Sequence, residues 1–192
     1  MSIEENQANI TVDENEQVVV TIPAPVRDDY HATISTAVCY FKVKPSKTKP
    51  WTTKILKGDE YVDTPAGFRV QFASHQTKTT DPVELQLQGL QRIILIAEMD
   101  EDDAENLGDW RFHGKGVIYC HENDHNDFRV ETVVTENGNQ LIMTIDQVKD
   151  EDFENDIAFR YLATCYEIGV GQLPAPVYYS QDPVVNVGRV QL

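Results

Sequence analysis

Apolar and polar residues alternate with a period of two along much of this chain, and that pattern constrains its fold most. In the segment GFRVQF, Phe68, Val70 and Phe72 are separated by single residues. The segments PVELQLQ (82–88) and FRVETVV (128–134) alternate in the same way. Such alternation is typical of a strand that buries one face. Further runs rich in β-branched and aromatic residues are EQVVVTI, ATISTAVCYFKV, QRIILIAE, KGVIYC, QLIMTID, DIAFRYLATCY and PVVNVGRVQL.

These segments, with few helical signals between them, predict an all-β protein. We expect an antiparallel β-sandwich of about ten strands with little or no helix. Asn137-Gly138 in TENGNQ predicts a hairpin with a type I′ turn, which needs positive φ at both central residues. We expect residues 1–8 to be disordered and 9–192 to form a single domain.

The net charge of −16 limits the classes of partner. A chain this acidic repels nucleic acid and anionic membranes, so we expect neither as a partner. The first twelve residues, MSIEENQANITV, lack the basic start and apolar run of a secretory signal. No segment approaches the roughly 20 apolar residues of a membrane-spanning helix. We therefore predict a cytoplasmic protein without a cofactor.

The three cysteines, Cys39, Cys120 and Cys165, agree with that location. Each lies in or at the end of an apolar, strand-like run, and no pair has the C-x-x-C spacing of a redox or zinc motif. We predict reduced, mostly buried thiols. One disulfide with a thiol left over is the alternative.

The segment VIYCHENDHNDFRV (117–130) holds the best candidates for metal binding. His121 and His125 are four residues apart, with Asp124 between them, and on a helix the two histidines would share a face. A strand-like run stands on each side, however, and ENDHND consists of turn-forming residues. We predict a solvated turn, and His121, Asp124 and His125 are only weak metal candidates.

No residue presents itself as a catalytic group. The chain has no G-x-S-x-G elbow, no S-x-x-K motif and no glycine-rich phosphate loop. An enzyme is therefore the third hypothesis, without a nameable catalytic residue. The second hypothesis is a small-ligand or carbohydrate-binding module that uses Trp51, Trp110, Tyr178 and Tyr179 as a platform. The alternative for these aromatics, and the commoner one in β proteins, is packing in the core.

The C-terminal segment 156–189 contains an aromatic strand, a glycine-containing loop, an aromatic pair and a final strand that begins with Asp-Pro. The positions of this pattern are Phe159, Tyr161, Gly171, Tyr178, Tyr179, Asp182, Pro183, Val184 and Val185. The pattern resembles the end of the AidA/PixA-type inclusion-body-protein family. The resemblance implies a cytoplasmic bacterial β-sandwich that accumulates or self-assembles, and it carries over no catalytic residues.

The leading hypothesis is a non-enzymatic protein that acts through self-association or a protein partner. Its sequence basis is KVKPSKTKPWTTKILK (42–57), which holds six of the sixteen basic residues and no acid. Because of its two prolines, we expect an exposed loop with Trp51 near its middle. These lysines either balance acids within the same molecule or dock the loop on an acidic run of a neighbouring copy, for instance 98–109 or 150–156. The second interpretation is our hypothesis, and it describes a salt-sensitive, heterologous contact. The predicted interaction residues are Lys42, Lys44, Lys47, Lys49, Trp51, Lys54 and Lys57.

Overall fold

The fold is known from a computed structural model, and its strands fall into two main sheets. The structure describes residues 9–13, 17–64, 67–75, 79–100, 108–120, 128–149, 155–166, 175–181 and 184–191. In chain order, its elements are β1 (Asn9–Val12), β2 (Val18–Ile22), β3 (Val26–Arg27), β4 (Ala32–Thr33), β5 (Thr36–Lys44), β6 (Thr52–Lys57), β7 (Glu60–Asp63), β8 (Gly67–Ser74), α1 (Pro82–Leu90), β9 (Arg92–Met99), β10 (Asp109–Tyr119), β11 (Arg129–Val134), β12 (Gln140–Asp146), β13 (Asn155–Tyr166), β14 (Val177–Tyr179) and β15 (Val184–Gln191).

The first sheet has the strand order β1-β2-β8-β15-β13-β10, and β14 also pairs with β13. The second sheet has the order β11-β12-β9-β5-β6-β7, and β3 and β4 form a small separate ribbon. The predicted all-β sandwich is thus confirmed. The sheets are mixed rather than purely antiparallel, because β8 pairs parallel to both β2 and β15, and β5 pairs parallel to β9.

One hydrophobic core joins the two sheets. Val20, Val70 and Val187 enter it from the first sheet, and Phe41 and Ile93 enter it from the second. The alternation of apolar residues predicts these positions because every second side chain of a strand points to the same face. Residues 1–8 lie outside the described residues, so their predicted disorder stays a prediction, as does the single domain.

Helix α1 corrects the prediction that PVELQLQ is a strand. Asp81 caps the helix by accepting a hydrogen bond from the Val83 backbone N–H, and Pro82 occupies the first turn. Glu84 and Gln88, four residues apart, are the buried side chains of this helix, whereas Val83 is half exposed. The alternation of apolar residues was therefore misleading, since the buried face of this helix is polar.

A buried polar cluster lies at the C-terminal end of α1. Gln91, which has no exposed surface, donates from Nε2 to the Pro23 and Ala73 carbonyls at 2.7 and 3.0 Å. Its Oε1 accepts a hydrogen bond from Arg189 Nη1 at 2.7 Å. Arg189 Nη2 donates to the Val148 carbonyl at 2.7 Å. These bonds tie the end of α1 to β8, to the last strand and to the segment after β12.

The hairpin at Asn137-Gly138 is confirmed, but its type I′ turn is wrong. The loop between β11 and β12 has five residues, and only Gly138 among them has a positive φ, at 76°. The Gly138 N–H donates to the Thr135 carbonyl, and the Thr135 N–H donates to the Gln140 carbonyl. A longer loop needs only one residue in the left-handed region, which glycine adopts without strain.

Candidate protein-interaction surface

Strand β9 has apolar side chains on both of its faces. Its sequence is RIILIAEM, and Ile93 and Leu95 point into the core. Ile94 and Ile96 point to the opposite side, where they are half-buried and do not belong to the core cluster. A run that is apolar at every position is typical of a strand covered on both sides. Among the described residues, the core covers only one side of β9.

The pairing of the strands extends this feature across the whole second sheet. Val133 pairs with Ile142, Ile142 with Ile96, and Ile96 with Tyr40. Because Phe41 pairs with Ile55, Tyr40 lies beside Leu56, and Leu56 pairs with Tyr61. We call this set the apolar row, and its six members are Val133, Ile142, Ile96, Tyr40, Leu56 and Tyr61.

The apolar row faces away from the core and toward solvent. The exposed fractions are 61% for Val133, 44% for Tyr40 and 36% for Tyr61, and the other three members are half-buried. Val38 and Ile94, the next outward positions on β5 and β9, pair with each other and widen the patch. A contiguous apolar patch on the outer face of a sheet marks a site of association more often than a solvated surface.

Charged and polar residues border the apolar row on one side. The register places Glu98 beside Gln140 and Lys42, and Lys42 beside Lys54. Gln140 Nε2 donates a hydrogen bond to Glu98 Oε1. The Lys42 ammonium lies 5.2 Å from the centre of the Tyr61 ring, so this lysine packs onto the edge of the row.

A second charged border lies beyond Val38 and Ile94. Arg129 binds Asp146 in a bidentate pair, with 2.8 Å from Nε to Oδ1 and 2.6 Å from Nη2 to Oδ2. The hydrogen bond and the charge of Asp146 raise the pKa of Arg129 above its usual value. Asp146 in turn pairs with Arg92 across β12 and β9. An apolar centre between polar margins is the usual organisation of a protein interface.

The outer face of the first sheet has a mixed composition among the described residues. Arg69 lies between Val19 and Asn186, and Arg160 pairs with Ile118. Polar side chains thus interrupt the apolar ones on this face, whereas the apolar row of the second sheet is continuous. That continuity makes the outer face of the second sheet the candidate interaction surface.

The structure separates the lysines of the predicted interaction loop. Lys42 and Lys44 lie at the end of β5, Lys54 and Lys57 lie in β6, and Lys47 and Lys49 are exposed in the connection 45–51. The segment is therefore a hairpin and not one exposed loop, because its prolines fall in the connection and leave both strands intact. Of these lysines, only Lys42 and Lys54 lie together beside the apolar row.

Trp51 is buried, so its predicted exposure is wrong. It is 8% exposed, and its ring packs edge-on against Trp110 with 5.9 Å between ring centres. Its indole N–H donates to the Ser46 carbonyl at 2.9 Å. Tyr178 packs on Trp110 at 5.1 Å, whereas Tyr179 is 62% exposed. Three of the four aromatics of the proposed ligand platform thus pack with one another instead of lining a surface.

The metal candidates His121, Asp124 and His125 lie outside the described residues, as does most of the acidic run 98–109. In the part of the chain that the structure describes, no group of three or more histidine, cysteine or acidic residues is placed to hold a metal ion. The three cysteines are thiols that form no disulfide with one another. Burial raises the pKa of the Cys39 thiol to about 12, and an activated nucleophile requires the opposite shift.

The apolar row was not among the residues predicted from the sequence, although the sequence contains a signal for it. In AVCYF, QRIILIAE and QLIMTI, apolar residues also occupy positions that alternation would leave polar. A count of outward positions in these three strands would have predicted an apolar outer face. The register between the strands, which assembles those positions into one row, is not readable from the sequence.

Comparisons with known proteins add a family and nothing more specific. Residues 2–189 match the model of the DP-EP family. No curated protein and no solved structure matches the chain. Within the described ranges, no helix has the length and apolar content needed to span a bilayer.

Proposed function

The chain belongs to the DP-EP family, and we propose that it is a non-enzymatic cytoplasmic protein that acts by self-association through the outer face of its second sheet. The observation that supports this proposal is the apolar row. It crosses all six strands of the second sheet, faces away from the core and has polar residues on both sides.

The physical drive for association is the removal of this row from water. Each square ångström of apolar surface that becomes buried contributes about 25 cal/mol. The register gives this face four rows, from the level of Arg92 to that of Glu98, with four, four, six and five outward side chains. With strands about 4.8 Å apart and rows about 6.7 Å apart, these side chains cover roughly 600 Å². That is the lower end of the roughly 600–1,000 Å² that each partner contributes to a standard protein interface. The face is thus large enough for a specific contact.

A second copy of this chain fits the face better than a nucleic acid or an anionic membrane does. Both of those surfaces are negatively charged, and the chain itself carries −16. Two copies also repel each other through their net charge. The borders of the face, however, contain both signs, with Lys42 and Arg92 as cations and Glu98 and Asp146 as anions. Local attraction can therefore accompany apolar contact.

The effect of salt on association distinguishes this proposal from docking through Lys47 and Lys49 of the connection 45–51. We expect the double variant Lys47→Glu/Lys49→Glu to associate as the parent protein does, because both lysines are exposed in the connection 45–51 and away from the apolar row. Added salt should leave association unchanged or strengthen it, since salt screens the repulsion between two acidic copies. Mass in solution by light scattering, at low and high salt, measures both effects.

The comparison variant is Lys54→Glu, a single lysine-to-glutamate substitution beside the apolar row. It adds negative charge at the contact between two acidic copies, so it should weaken association by a modest factor. Loss of association in the double variant, together with dissociation of the parent protein by salt, would instead support the heterologous contact between lysines and an acidic run.

A further inference from the structure

We infer that the second copy is a symmetry mate related by a two-fold axis that crosses β9, so that Arg92 of each copy meets Glu98 of the other. This arrangement rests on the proposed self-association and specifies its geometry. It also assigns a role in recognition to two charged residues at opposite ends of the same strand.

The outward positions of β9 carry the argument. Arg92, Ile94, Ile96 and Glu98 follow one another at two-residue intervals, so all four point to the outer face. The sequence of this face along the strand is cation, apolar, apolar, anion. A second copy of β9 that runs antiparallel to the first therefore sets an anion against each cation and apolar residues against apolar residues.

A closed dimer of two sheet faces requires a two-fold axis in the plane of contact. An axis that crosses β9 near Leu95 places Ile94 of one copy over Ile96 of the other. It brings Arg92 over Glu98 twice, once at each end. The two β9 strands then run antiparallel within about 30°, as aligned sheets pack.

The neighbouring strands agree with the same axis. On β12 it places Gln140 of one copy over Asp146 of the other, and on β5 it places Tyr40 over Val38. Lys42 then faces Thr36, but its ammonium already rests on the Tyr61 ring within its own chain. The arrangement therefore sets no like charges against each other on these three strands.

A two-fold axis parallel to the strands is the competing geometry. If the axis lies on β9, it sets Glu98 against Glu98 and Arg92 against Arg92. If it lies on β5, it sets Lys42 against Lys42. Two axes of this kind avoid these contacts. One lies between β9 and β5 and pairs Glu98 with Lys42, but leaves Arg92 over Thr36. The other lies between β12 and β9 and pairs Arg92 with Asp146, but leaves Glu98 over Gln140. Each gives only one of the two charges of β9 an opposite charge from the other copy, whereas the axis across β9 gives one to both, which favours it for desolvated charges.

Charge-swap variants test the inferred axis. Arg92→Glu and Glu98→Arg each create two like-charge contacts in a homodimer, so each should raise the dissociation constant at least about tenfold. An equimolar mixture of the two variants pairs every swapped charge with its opposite. We expect the mixture to form heterodimers with a dissociation constant within about threefold of the parent value. Sedimentation velocity with one labelled component measures this recovery.

The single-chain variant Arg92→Glu/Glu98→Arg provides a second test, because it should dimerise like the parent protein. Circular dichroism and a thermal melt confirm that each variant is folded. If a single swap unfolds the chain, the double variant still decides the outcome.

The negative outcomes distinguish the two proposals. A parent protein that is monomeric at every concentration overturns the proposed function, and the inferred axis with it. If the parent protein dimerises, but neither the mixture nor the double variant recovers the dimerisation lost in the single variants, only the inferred axis is overturned. If Lys42→Glu recovers the dimerisation of Glu98→Arg, and Arg92→Glu does not, the inferred axis would be replaced by the axis that is parallel to the strands and lies between β9 and β5.

Discussion

Replacing Ile96 with glutamate is expected to abolish self-association without unfolding the chain. Ile96 lies on a central strand of the second sheet and within the apolar row, where its side chain faces outward and is half-buried. In the assembly, each copy would bury a new carboxylate against apolar side chains. That burial costs several kcal/mol per charge, so association should weaken by about a hundredfold or more. Sedimentation velocity over a concentration series measures the loss.

Ile118→Glu is the matched control for this variant. Ile118 is 52% exposed on β10 and pairs with Arg160, so it lies on the outer face of the first sheet. The substitution and the added charge are identical, but the face is different. We expect Ile118→Glu to associate like the parent protein. Equal losses in the two variants would show that added charge, and not the location of the apolar row, controls association.

Replacing Gln91 with alanine is expected to lower the free energy of unfolding by about 2–4 kcal/mol. The truncation removes the hydrogen bonds that Gln91 makes to the Pro23 carbonyl, the Ala73 carbonyl and the Arg189 guanidinium. The site has no exposed surface, so water does not replace these bonds without a rearrangement. Denaturant titration followed by circular dichroism measures the change.

Gln86→Ala is the control for the Gln91 variant. Gln86 is exposed on the same helix, and alanine has the higher helix propensity, so its effect should lie within about 0.5 kcal/mol. A Gln91→Ala protein as stable as the parent would show that the buried cluster is not needed to hold α1 in place. The self-association proposal does not depend on that result.

The strands of this protein were predictable because most of them bury one face. In β8, Phe68, Val70 and Phe72 enter the core at alternate positions, and the sequence shows that spacing directly. The parallel pairing of β8 with β2 and β15 was not predictable, because partner choice depends on long-range contacts and not on local alternation. The all-β architecture follows from local alternation, whereas the strand order follows from long-range contacts.

Helix α1 was missed because its inward face is polar. A local signal existed, since Asp81, Pro82 and Glu84 match a helix cap, a first-turn proline and a capping acid. The apolar alternation in PVELQLQ was given more weight than that signal. Gln91, the residue after the helix, binds Arg189, which lies 98 residues later in the chain. Sequence spacing does not reveal such a partner.

From the sequence, the contact for the proposed self-association was expected on a different surface. Self-association was expected from the lysines of 42–57, and the structure puts only Lys42 and Lys54 beside the apolar row. Trp51 was expected at the surface and is instead part of an aromatic cluster inside the protein. Its burial depends on Trp110, which belongs to a strand of the other sheet, so local sequence did not indicate it.

Mass in solution is the most direct test of the proposed association of two copies of this chain through the outer face of the second sheet. Sedimentation velocity of the parent protein, from micromolar to near-millimolar concentration, should show the mass rising from the 21.8 kDa of one chain toward twice that value. Backbone amide exchange, measured across the same series, should slow in β9, β5 and β12 and not in β8 or β15. A constant mass of one chain at every concentration, or slowed exchange confined to the first sheet, would contradict the account.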